Sequence, residues 1–318
     1  MIGLDIGGTK CAVCIGKQNG NDLEILEKRK IPTDLSVSPV EMIDRLCRLA
    51  EEMTDDFRVI GISCGGPLDA ERGVILSPPN LPGWDNVPIV EILQKRYGGR
   101  VRLENDANAC AVAEWKFGAG RGCDSMVFLT FGTGMGAGLI LNGRLYTGAC
   151  GNAGEIGHVR LEKFGPVGYG KIGSFEGFAS GGGIAQLARS AAMERLQQGQ
   201  AVTYCATMDD LGSVTAATVA EAAMAGDPTA LSVYRCCGEA LGRGLSILVD
   251  VLNPQRIVLG SIYVRSSHLL ETSMRRVLKE ECLPSSLERV QILPAALGEQ
   301  LGDYAALALA ATLEGDKI

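Results

Sequence analysis

Hydrophobic residues recur along this chain at two spacings, and together they predict an alternation of strands and helices. Short apolar or alternating segments predict strands at 2–6, 11–15, 59–63, 74–76, 100–104, 126–131, 139–141 and 256–259. Apolar residues three and four apart, or Ala-rich runs, predict helices at 40–53, 107–115, 214–224, 230–250 and 302–313, with a further helix beginning at 184. This pattern favours an α/β fold.

Two distant segments share one pattern, in which a strand, a glycine-rich turn and a second strand follow each other. The first segment, LDIGGTKCAVCIG, contains the turn Gly7-Gly8-Thr9-Lys10, and the second, LTFGTGMGAGLIL, contains the turn at 132–136. Glycines let backbone N–H groups come close to an anion. The repeated pattern predicts an internal duplication, with two hairpin tips that could clamp a phosphate tail.

Two common phosphate-binding motifs do not fit this chain. Residues 132–137 match G-x-G-x-x-G/A loosely, but that fingerprint opens a helix, whereas here it leads into an apolar segment of strand type. The P-loop pattern G-x-x-x-x-G-K-[ST] does not occur, because Gly170-Lys171 is followed by Ile172. A Rossmann or P-loop nucleotide site is therefore not expected.

Asn105 and Asp106 stand between the strand predicted at 100–104 and the helix predicted at 107–115. In an open α/β sheet, ligands bind outside the carboxyl ends of the strands, so both side chains could face a substrate. Both residue types are also common in turns and at helix N-caps. Taken alone, this segment favours the turn and N-cap interpretation.

Composition narrows the class of protein. A chain of 318 residues with 46% apolar and 21% charged residues is expected to form two domains. The net charge of -7 argues against non-specific nucleic-acid binding, and the late apolar run at 305–313 is too short to span a membrane. Eleven cysteines without a secretion signal indicate reduced thiols in a cytoplasmic protein.

Several short motifs, in their order along the chain, resemble those of the ROK family of sugar kinases and repressors, within the larger group of actin-like and hexokinase-like ATPases. The motifs are Asp5-Ile6-Gly7-Gly8-Thr9-Lys10, Gly65-Gly66-Pro67, Asn80-Leu81-Pro82-Gly83-Trp84, Glu104-Asn105-Asp106-Ala107-Asn108, Gly132-Thr133-Gly134, Gly154-Glu155-Ile156-Gly157-His158, Glu176 with Ala179-Ser180-Gly181, and Val258-Leu259-Gly260. The resemblance implies an α/β fold of two ribonuclease-H-like lobes with a cleft between them. We expect an N-terminal lobe of residues 1–115, completed by a C-terminal helix at 300–318, and a C-terminal lobe of residues 116–299.

The resemblance also implies a role for each motif. Phosphoryl transfer requires an alcohol oxygen in line with the γ-phosphate and a group that accepts the alcohol's proton, and Asp106 is the implied catalytic base. The implied sugar ligands are Gly66, Asn80, Asn105, Asp106, Glu155, His158 and Glu176. The implied ATP ligands are Gly7, Gly8, Thr9, Lys10, Thr133, Gly134 and Gly260, and Asp5 is expected to hold Mg²⁺, directly or through water.

The chain departs from the family pattern in one loop. Many relatives bind zinc through a His and three cysteines in the motif C-x-C-G-x-x-G-C-x-E, but here Val167, Tyr169 and Ser174 replace the three thiolates. His158 cannot form a tetrahedral zinc site alone. We therefore expect no zinc, and a loop ordered instead by the packing of Tyr169 and Phe175.

The expected activity is ATP-dependent phosphorylation of the 6-hydroxyl of a hexose such as glucose. The alternative is a kinase for an N-acylhexosamine such as N-acetylmannosamine or N-acetylglucosamine, and a less favoured one is a sugar-responsive regulator without turnover. Repressors of this family carry a DNA-binding helix-turn-helix before the first lobe, whereas Asp5 stands almost at the N-terminus here, so no nucleic-acid partner is expected. Relatives commonly form homodimers, and the sequence does not identify the sugar.

Overall fold

The computed structural model of the protein describes residues 1–315, so residues 316–318 of the predicted C-terminal helix lie outside the described residues. The strands are β1 (Ile2–Ile6), β2 (Lys10–Asn19), β3 (Asp22–Pro32), β4 (Val59–Cys64), β5 (Leu68–Asp69), β6 (Val74–Ile75), β7 (Arg100–Asn105), β8 (Met126–Leu129), β9 (Ala137–Leu141), β10 (Arg144–Tyr146), β11 (Val167–Gly168), β12 (Lys171–Ile172), β13 (Arg256–Leu259) and β14 (Gln291–Pro294). The helices are α1 (Pro39–Glu51), α2 (Ile89–Tyr97), α3 (Asp106–Phe117), α4 (Phe175–Phe178), α5 (Gly181–Gln197), α6 (Ala216–Met224), α7 (Pro228–Leu252), α8 (Ile262–Glu281), α9 (Pro284–Leu287) and α10 (Leu301–Gly315).

The first large sheet has the strand order β3-β2-β1-β4-β7. Strands β1, β2 and β3 pair antiparallel, whereas β4 lies parallel to both β1 and β7. All six residues of β4 are buried, as expected for a central parallel strand covered on both faces. Ile6 is paired with Cys64, and Cys64 with Asn105, so these three strands end at the same edge of the sheet.

The second large sheet has the order β10-β9-β8-β13-β14. Its pairs β9–β10 and β13–β14 are antiparallel and parallel, respectively. The two orders become equivalent when β1, β2, β3, β4 and β7 are matched with β8, β9, β10, β13 and β14. This equivalence agrees with the duplicated hairpin pattern of the sequence.

Helix α10 lies directly against the first sheet. A Cβ added to Gly3 on β1 would lie 2.9 Å from the backbone nitrogen of Leu307, and one added to Gly61 on β4 would collide with the carbonyl of Ala306. Only glycine permits such a close approach of helix and strand. A further core on this sheet includes Met42, Ile43 and Leu46 of α1.

The chain divides into two compact units by its contacts. One contains residues 1–128, 138–153 and the chain from 296 onward, and the other contains residues 129–137 and 154–295. The predicted lobe boundaries at residues 115 and 299 stay a prediction. Within the described residues, no helix is both long and apolar enough to cross a membrane.

The elements predicted from the hydrophobic pattern do not include the longer elements β3, β10, β14, α2 and α8, or the short elements β5, β11, β12, α4 and α9. Strand β3 lies at a sheet edge, and among its eleven residues only Leu23 is buried, so its apolar signal is weak. Helix α8 does bury Leu270, Met274 and Val277 at helical spacing. Its pattern was therefore visible in the sequence, although no helix was assigned there.

Candidate active site

Asn105 and Asp106 stand where β7 ends and α3 begins. The Asn105 side chain is an N-cap, because its Oδ1 accepts a hydrogen bond from the Asn108 amide at 2.7 Å. Asp106 Oδ1 accepts one from the Ala107 amide at 2.9 Å. The N-cap interpretation thus holds for Asn105, whose Nδ2 group is not used in the cap.

The Asp106 side chain is exposed to solvent, yet many protein atoms lie close around its carboxyl. The resulting loss of water raises the pKa of Asp106 above its ordinary value, and the Ala107 amide opposes this effect in part. A solvent-accessible carboxylate with a raised pKa is better suited to accept a proton than an ordinary surface aspartate.

The first glycine turn follows β1 at the edge where β4 and β7 also end. The Gly7 amide donates to the Lys10 carbonyl at 3.2 Å, and the Thr33 hydroxyl donates to the Gly7 carbonyl at 2.6 Å. Across residues 1–315, no protein group accepts a hydrogen bond from the amides of Gly8 or Thr9. These two amides are therefore available to an anion such as a phosphate.

Asn80 lies beside this turn. A Cβ added to Gly8 would be 2.8 Å from the Asn80 Cβ, and one added to Gly65 would be 3.5 Å from the Asn80 Nδ2. Gly66 adjoins Gly65, and a Cβ there would meet nothing within 4 Å. The structure therefore brings Gly8, Gly65 and Asn80 together, although they are far apart in sequence.

Asp5 precedes the first glycine turn on β1 and is half-buried. Burial, reinforced by the negative charges of Asp303 and Asp106, raises the pKa of Asp5 to about 6, while Lys28 and Lys10 act in the opposite direction. No group in the described part of the chain donates a hydrogen bond to its carboxylate. A partly dehydrated carboxylate without a donor, close to other carboxylates, has chemistry that fits a hydrated Mg²⁺.

The second glycine turn, at residues 132–136, has its own hydrogen-bond network. The Gly132 amide donates to the Gly134 carbonyl at 3.0 Å, and the Gly136 amide donates to the Thr130 hydroxyl at 3.0 Å. The amides of Thr133 and Gly134 have no acceptor among residues 1–315. This turn thus also presents two adjacent amides to an anion.

Gly260 ends β13 next to this second turn. Its amide donates to the Leu129 carbonyl at 2.9 Å, and a Cβ added to Gly132 would lie 3.6 Å from the hydroxyl of Ser261. Ser261 has a φ of 50°, in the left-handed region that non-glycine residues rarely adopt. The chain therefore makes a sharp corner after Gly260, beside the turn predicted to bind phosphate.

The three remaining predicted sugar ligands follow the second turn in sequence. Glu155 is the N-cap of a short 3₁₀ helix, His158 is the last residue of that helix, and both side chains are exposed. Glu176 lies in the first turn of α4, whose N-cap Ser174 accepts a hydrogen bond from the Gly177 amide at 3.1 Å. Its Oε2 accepts a hydrogen bond from the Met135 amide at 2.9 Å, which connects Glu176 to the glycine turn.

The loop that lacks the zinc-binding cysteines is ordered by hydrogen bonds and by one aromatic side chain. Phe175 is fully buried, as expected, but Tyr169 is 78% exposed and meets the His158 ring only edge-on, with ring centres 6.3 Å apart. The expectation that Tyr169 anchors the loop was therefore wrong. Instead, the Gln186 side chain bonds both the amide and the carbonyl of Val167, at 3.0 and 2.8 Å. Among the described residues, no cluster of three or more His, Cys, Asp or Glu side chains is arranged to hold a metal, and the absence of zinc stays a prediction.

Three residues that support the site were not identified from the sequence: Thr33, Thr130 and Asp303. Thr33 lies 26 residues from the Gly7 carbonyl to which it donates. Asp303, on α10, is buried, forms an ion pair with Lys28 and accepts a hydrogen bond from Cys14 at 3.7 Å. The contacts of Thr33 and Asp303 join segments that meet only in the folded chain, whereas Thr130 bonds Gly136 within the same turn, only six residues away.

Comparison with known proteins shows the family of this chain. Residues 1–313 match the sequence profile of the ROK family. A glucokinase of Thermotoga maritima is 32% identical over 309 residues, which are 95% of this chain and 94% of that protein. An N-acetylmannosamine kinase of Salmonella heidelberg is 30% identical over 284 residues, or 89% of each chain. The crystal structure of a ROK family glucokinase from Streptomyces griseus in complex with glucose and AMPPNP matches 98% of this chain and 99% of that one, with a TM-score of 0.76 and 29% identity.

The fold is therefore that of the hexokinase-like ATPases, with two five-stranded sheets of equivalent order. The chain belongs to the ROK family. The predictions of the family and of the α/β fold class are confirmed.

Proposed function

We propose that this protein is an ATP-dependent sugar kinase that transfers the γ-phosphoryl group of ATP to the 6-hydroxyl of a hexose such as glucose. The observation that carries the proposal is Asp106, an accessible carboxylate whose pKa is raised by loss of water, at the carboxyl end of a parallel strand. The full-length similarity to the Thermotoga glucokinase supports the same activity.

The chemical step assigns a distinct task to each residue of the β7–α3 corner. As the sugar oxygen forms its bond to phosphorus, Asp106 accepts the hydroxyl proton, and the bond from phosphorus to the leaving oxygen of ADP breaks. The Nδ2 group of Asn105 donates a hydrogen bond to a neighbouring hydroxyl and so fixes the orientation of the sugar, since its Oδ1 serves as the helix cap. Glu155, His158, Glu176, Gly66 and Asn80 are the further sugar contacts that we propose.

The nucleotide phosphates are proposed to bind to the amides that lack a protein acceptor. Gly8 and Thr9 supply two such amides, and Thr133 and Gly134 supply two more. When Mg²⁺ is bound, it neutralises charge on the phosphate oxygens, with Asp5 as its proposed ligand, directly or through water. Lys10 adds a positive charge beside Gly8 and Thr9, and Gly260 leaves room for the adenosine.

An N-acylhexosamine is the second candidate substrate, because the N-acetylmannosamine kinase of Salmonella heidelberg is similar over 89% of this chain. The eleven cysteines, which form no disulfide, support a reducing cytoplasmic location. The homodimer, and the absence of a nucleic-acid or membrane partner, remain predictions.

The test is an ADP-release assay with ATP and Mg²⁺ over a panel that contains glucose, mannose, glucosamine, N-acetylglucosamine and N-acetylmannosamine. We expect turnover with glucose, and a loss of about 10²-fold or more in kcat for Asp106→Asn with little change in sugar affinity. A preference for N-acetylmannosamine would select the second candidate. Sugar binding by calorimetry without ADP release from any sugar would instead indicate a regulator and refute the proposal.

A further inference from the structure

Glu176 touches the second glycine turn with only one of its two carboxylate oxygens. Oε2 accepts the hydrogen bond from the Met135 amide at 2.9 Å, and a Cβ added to the neighbouring Gly134 would lie 2.7 Å from the same oxygen. Oε1 accepts no hydrogen bond from residues 1–315. One oxygen therefore holds the turn, and the other is available to a ligand.

The same turn is held from other directions by the backbone. The first two amides of α5 donate to its carbonyls, Gly181 to Gly132 at 2.8 Å and Gly182 to Thr133 at 3.2 Å. These bonds orient the start of the turn, whereas the Glu176 bond orients its centre. The unpaired amides of Thr133 and Gly134 lie between these two anchors. Their direction thus depends on where the Glu176 side chain is held.

We propose that Glu176 couples sugar binding to nucleotide binding, with Oε1 accepting a sugar hydroxyl while Oε2 fixes the turn that receives the phosphates. This inference rests on the proposed kinase function, but it assigns Glu176 a second task as a positioning residue for the nucleotide. A sugar bound to Oε1 restricts the rotamers of a half-buried side chain, so the turn is already ordered when the nucleotide arrives. Because coupling between two binding equilibria is reciprocal, the nucleotide must tighten sugar binding by the same factor.

Two substitutions of Glu176 separate the two oxygens. Glu176→Gln keeps one carbonyl oxygen for the Met135 amide but replaces the second oxygen by an NH₂ donor, so it perturbs the sugar contact alone. Glu176→Ala removes both contacts. The matched control is His158→Gln, which alters a proposed sugar ligand whose ring meets Tyr169 rather than the glycine turn.

The experiment measures the affinity of Mg²⁺-AMP-PNP by calorimetry at a series of glucose concentrations, and extrapolates to no glucose and to saturating glucose. For the unaltered protein we expect saturating glucose to tighten AMP-PNP binding roughly fivefold or more. We call the AMP-PNP affinity at saturating glucose divided by that without glucose the coupling ratio. For Glu176→Ala we expect the coupling ratio to fall to about 1, and AMP-PNP binding without glucose to weaken roughly fivefold, as for one lost hydrogen bond. The His158→Gln variant should need a higher glucose concentration to reach saturation but should keep the coupling ratio of the unaltered protein.

A ratio that is unchanged in Glu176→Ala, or a ratio of about 1 in the unaltered protein, would overturn the inference. If Glu176→Ala does not fold, as judged by circular dichroism, Glu176→Gln decides by steady-state kinetics. The inference then requires a KM for glucose raised roughly tenfold, as for loss of one charge-assisted bond, together with a KM for ATP at saturating glucose raised roughly fivefold, because the sugar no longer orders the turn through Oε1. A raised KM for glucose with an unchanged KM for ATP would refute it, since Glu176 would then be a sugar ligand without coupling. Failure of the kinase proposal is recognised separately, by the absence of ADP release from every sugar of the panel.

Discussion

Replacing Asp5 with asparagine is expected to stabilise the ligand-free protein at neutral pH while it impairs catalysis. Burial and the neighbouring Asp303 and Asp106 raise the pKa of Asp5 from 3.8 to about 6. Each pH unit of this difference corresponds to about 1.36 kcal/mol, so the ionised carboxylate costs the fold up to about 3 kcal/mol. Asparagine has nearly the same shape without the charge, and we expect a gain of about 1–3 kcal/mol in the free energy of unfolding.

The pH dependence of the free energy of unfolding is an independent test of the expected stabilisation by Asp5→Asn. Because the pKa of Asp5 is raised on folding, its favourable contribution is fully present below pH 3.8 and is lost as the pH rises through about 6. The advantage of Asp5→Asn over the unaltered protein should therefore be largest at about pH 7.5. It should fall below about 1 kcal/mol at about pH 4, where the native carboxyl is protonated.

The assay is urea unfolding, followed by circular dichroism without ATP or Mg²⁺, at both pH values. Asp303→Asn is the comparison variant: Asp303 is also buried but is paired with Lys28 and Cys14, and its negative charge is one of the causes that raise the pKa of Asp5. Its replacement leaves Lys28 without its partner, and we expect this loss to outweigh the relief of Asp5, with a net cost of about 1–3 kcal/mol. If Asp5→Asn destabilises the protein as much as Asp303→Asn does, or if its effect is the same at both pH values, the electrostatic reasoning is wrong.

Three further predictions concern other parts of the molecule. The kcat/KM for the sugar should fall with decreasing pH through a pKa above 3.8, because Asp106 must be ionised to act as a base and burial raises its pKa. In a pH–rate profile, Asp106→Asn should abolish this fall at acid pH. Gly8→Ala should raise the KM for ATP roughly tenfold, because the new Cβ would crowd Asn80. Gly66→Ala, where the space around the new Cβ is open, should leave thermal unfolding unchanged. Equal effects of the two substitutions on the KM for ATP and on thermal unfolding would contradict this reasoning. Glu114→Gln should lower the unfolding temperature, with a cost of about 2–4 kcal/mol, since the buried carboxylate accepts the amides of Ala119, Ala296 and Leu297 at 2.7, 3.1 and 2.9 Å; an unchanged unfolding temperature would refute the importance of these bonds.

The predicted elements agree with the structure where a strong pattern covers the whole segment. Helix α3, predicted at 107–115, extends over Asp106–Phe117, and α10, predicted at 302–313, extends over Leu301–Gly315. Strand β4 was predicted at 59–63 and ends at Cys64. The edge strand β3 escaped prediction because it buries little, and α4 is only four residues long. Its existence depends on the Ser174 cap and on the burial of Phe175 rather than on periodicity.

In the proposed site, too, some features could be predicted from the sequence and others could not. The family follows from short motifs and their order along the chain, and the glycine turns predict where backbone amides are accessible, because motifs, order and turns can all be recognised in the linear sequence. The sequence did not show that Asn105 Oδ1 accepts a hydrogen bond from the Asn108 amide, or that the Tyr169 side chain is exposed. Those outcomes depend on which neighbours surround each side chain, and neighbours are known only after folding.

By itself, the sequence determined the alternation of strands and helices, the duplicated hairpins and the family, because each turn, strand, helix and motif is a short continuous segment that can be recognised without knowing its neighbours in space. Only the tertiary structure decided that β1, β4 and β7 end at one edge, which brings Gly8, Gly65 and Asn80 together. It also decided that Asp303 acts on Asp5 and that Glu176 holds the Met135 amide. The physical reason is that dehydration, charge interaction and hydrogen bonding fall off over a few ångströms in space, so they follow the folded distances rather than the order of residues in the chain.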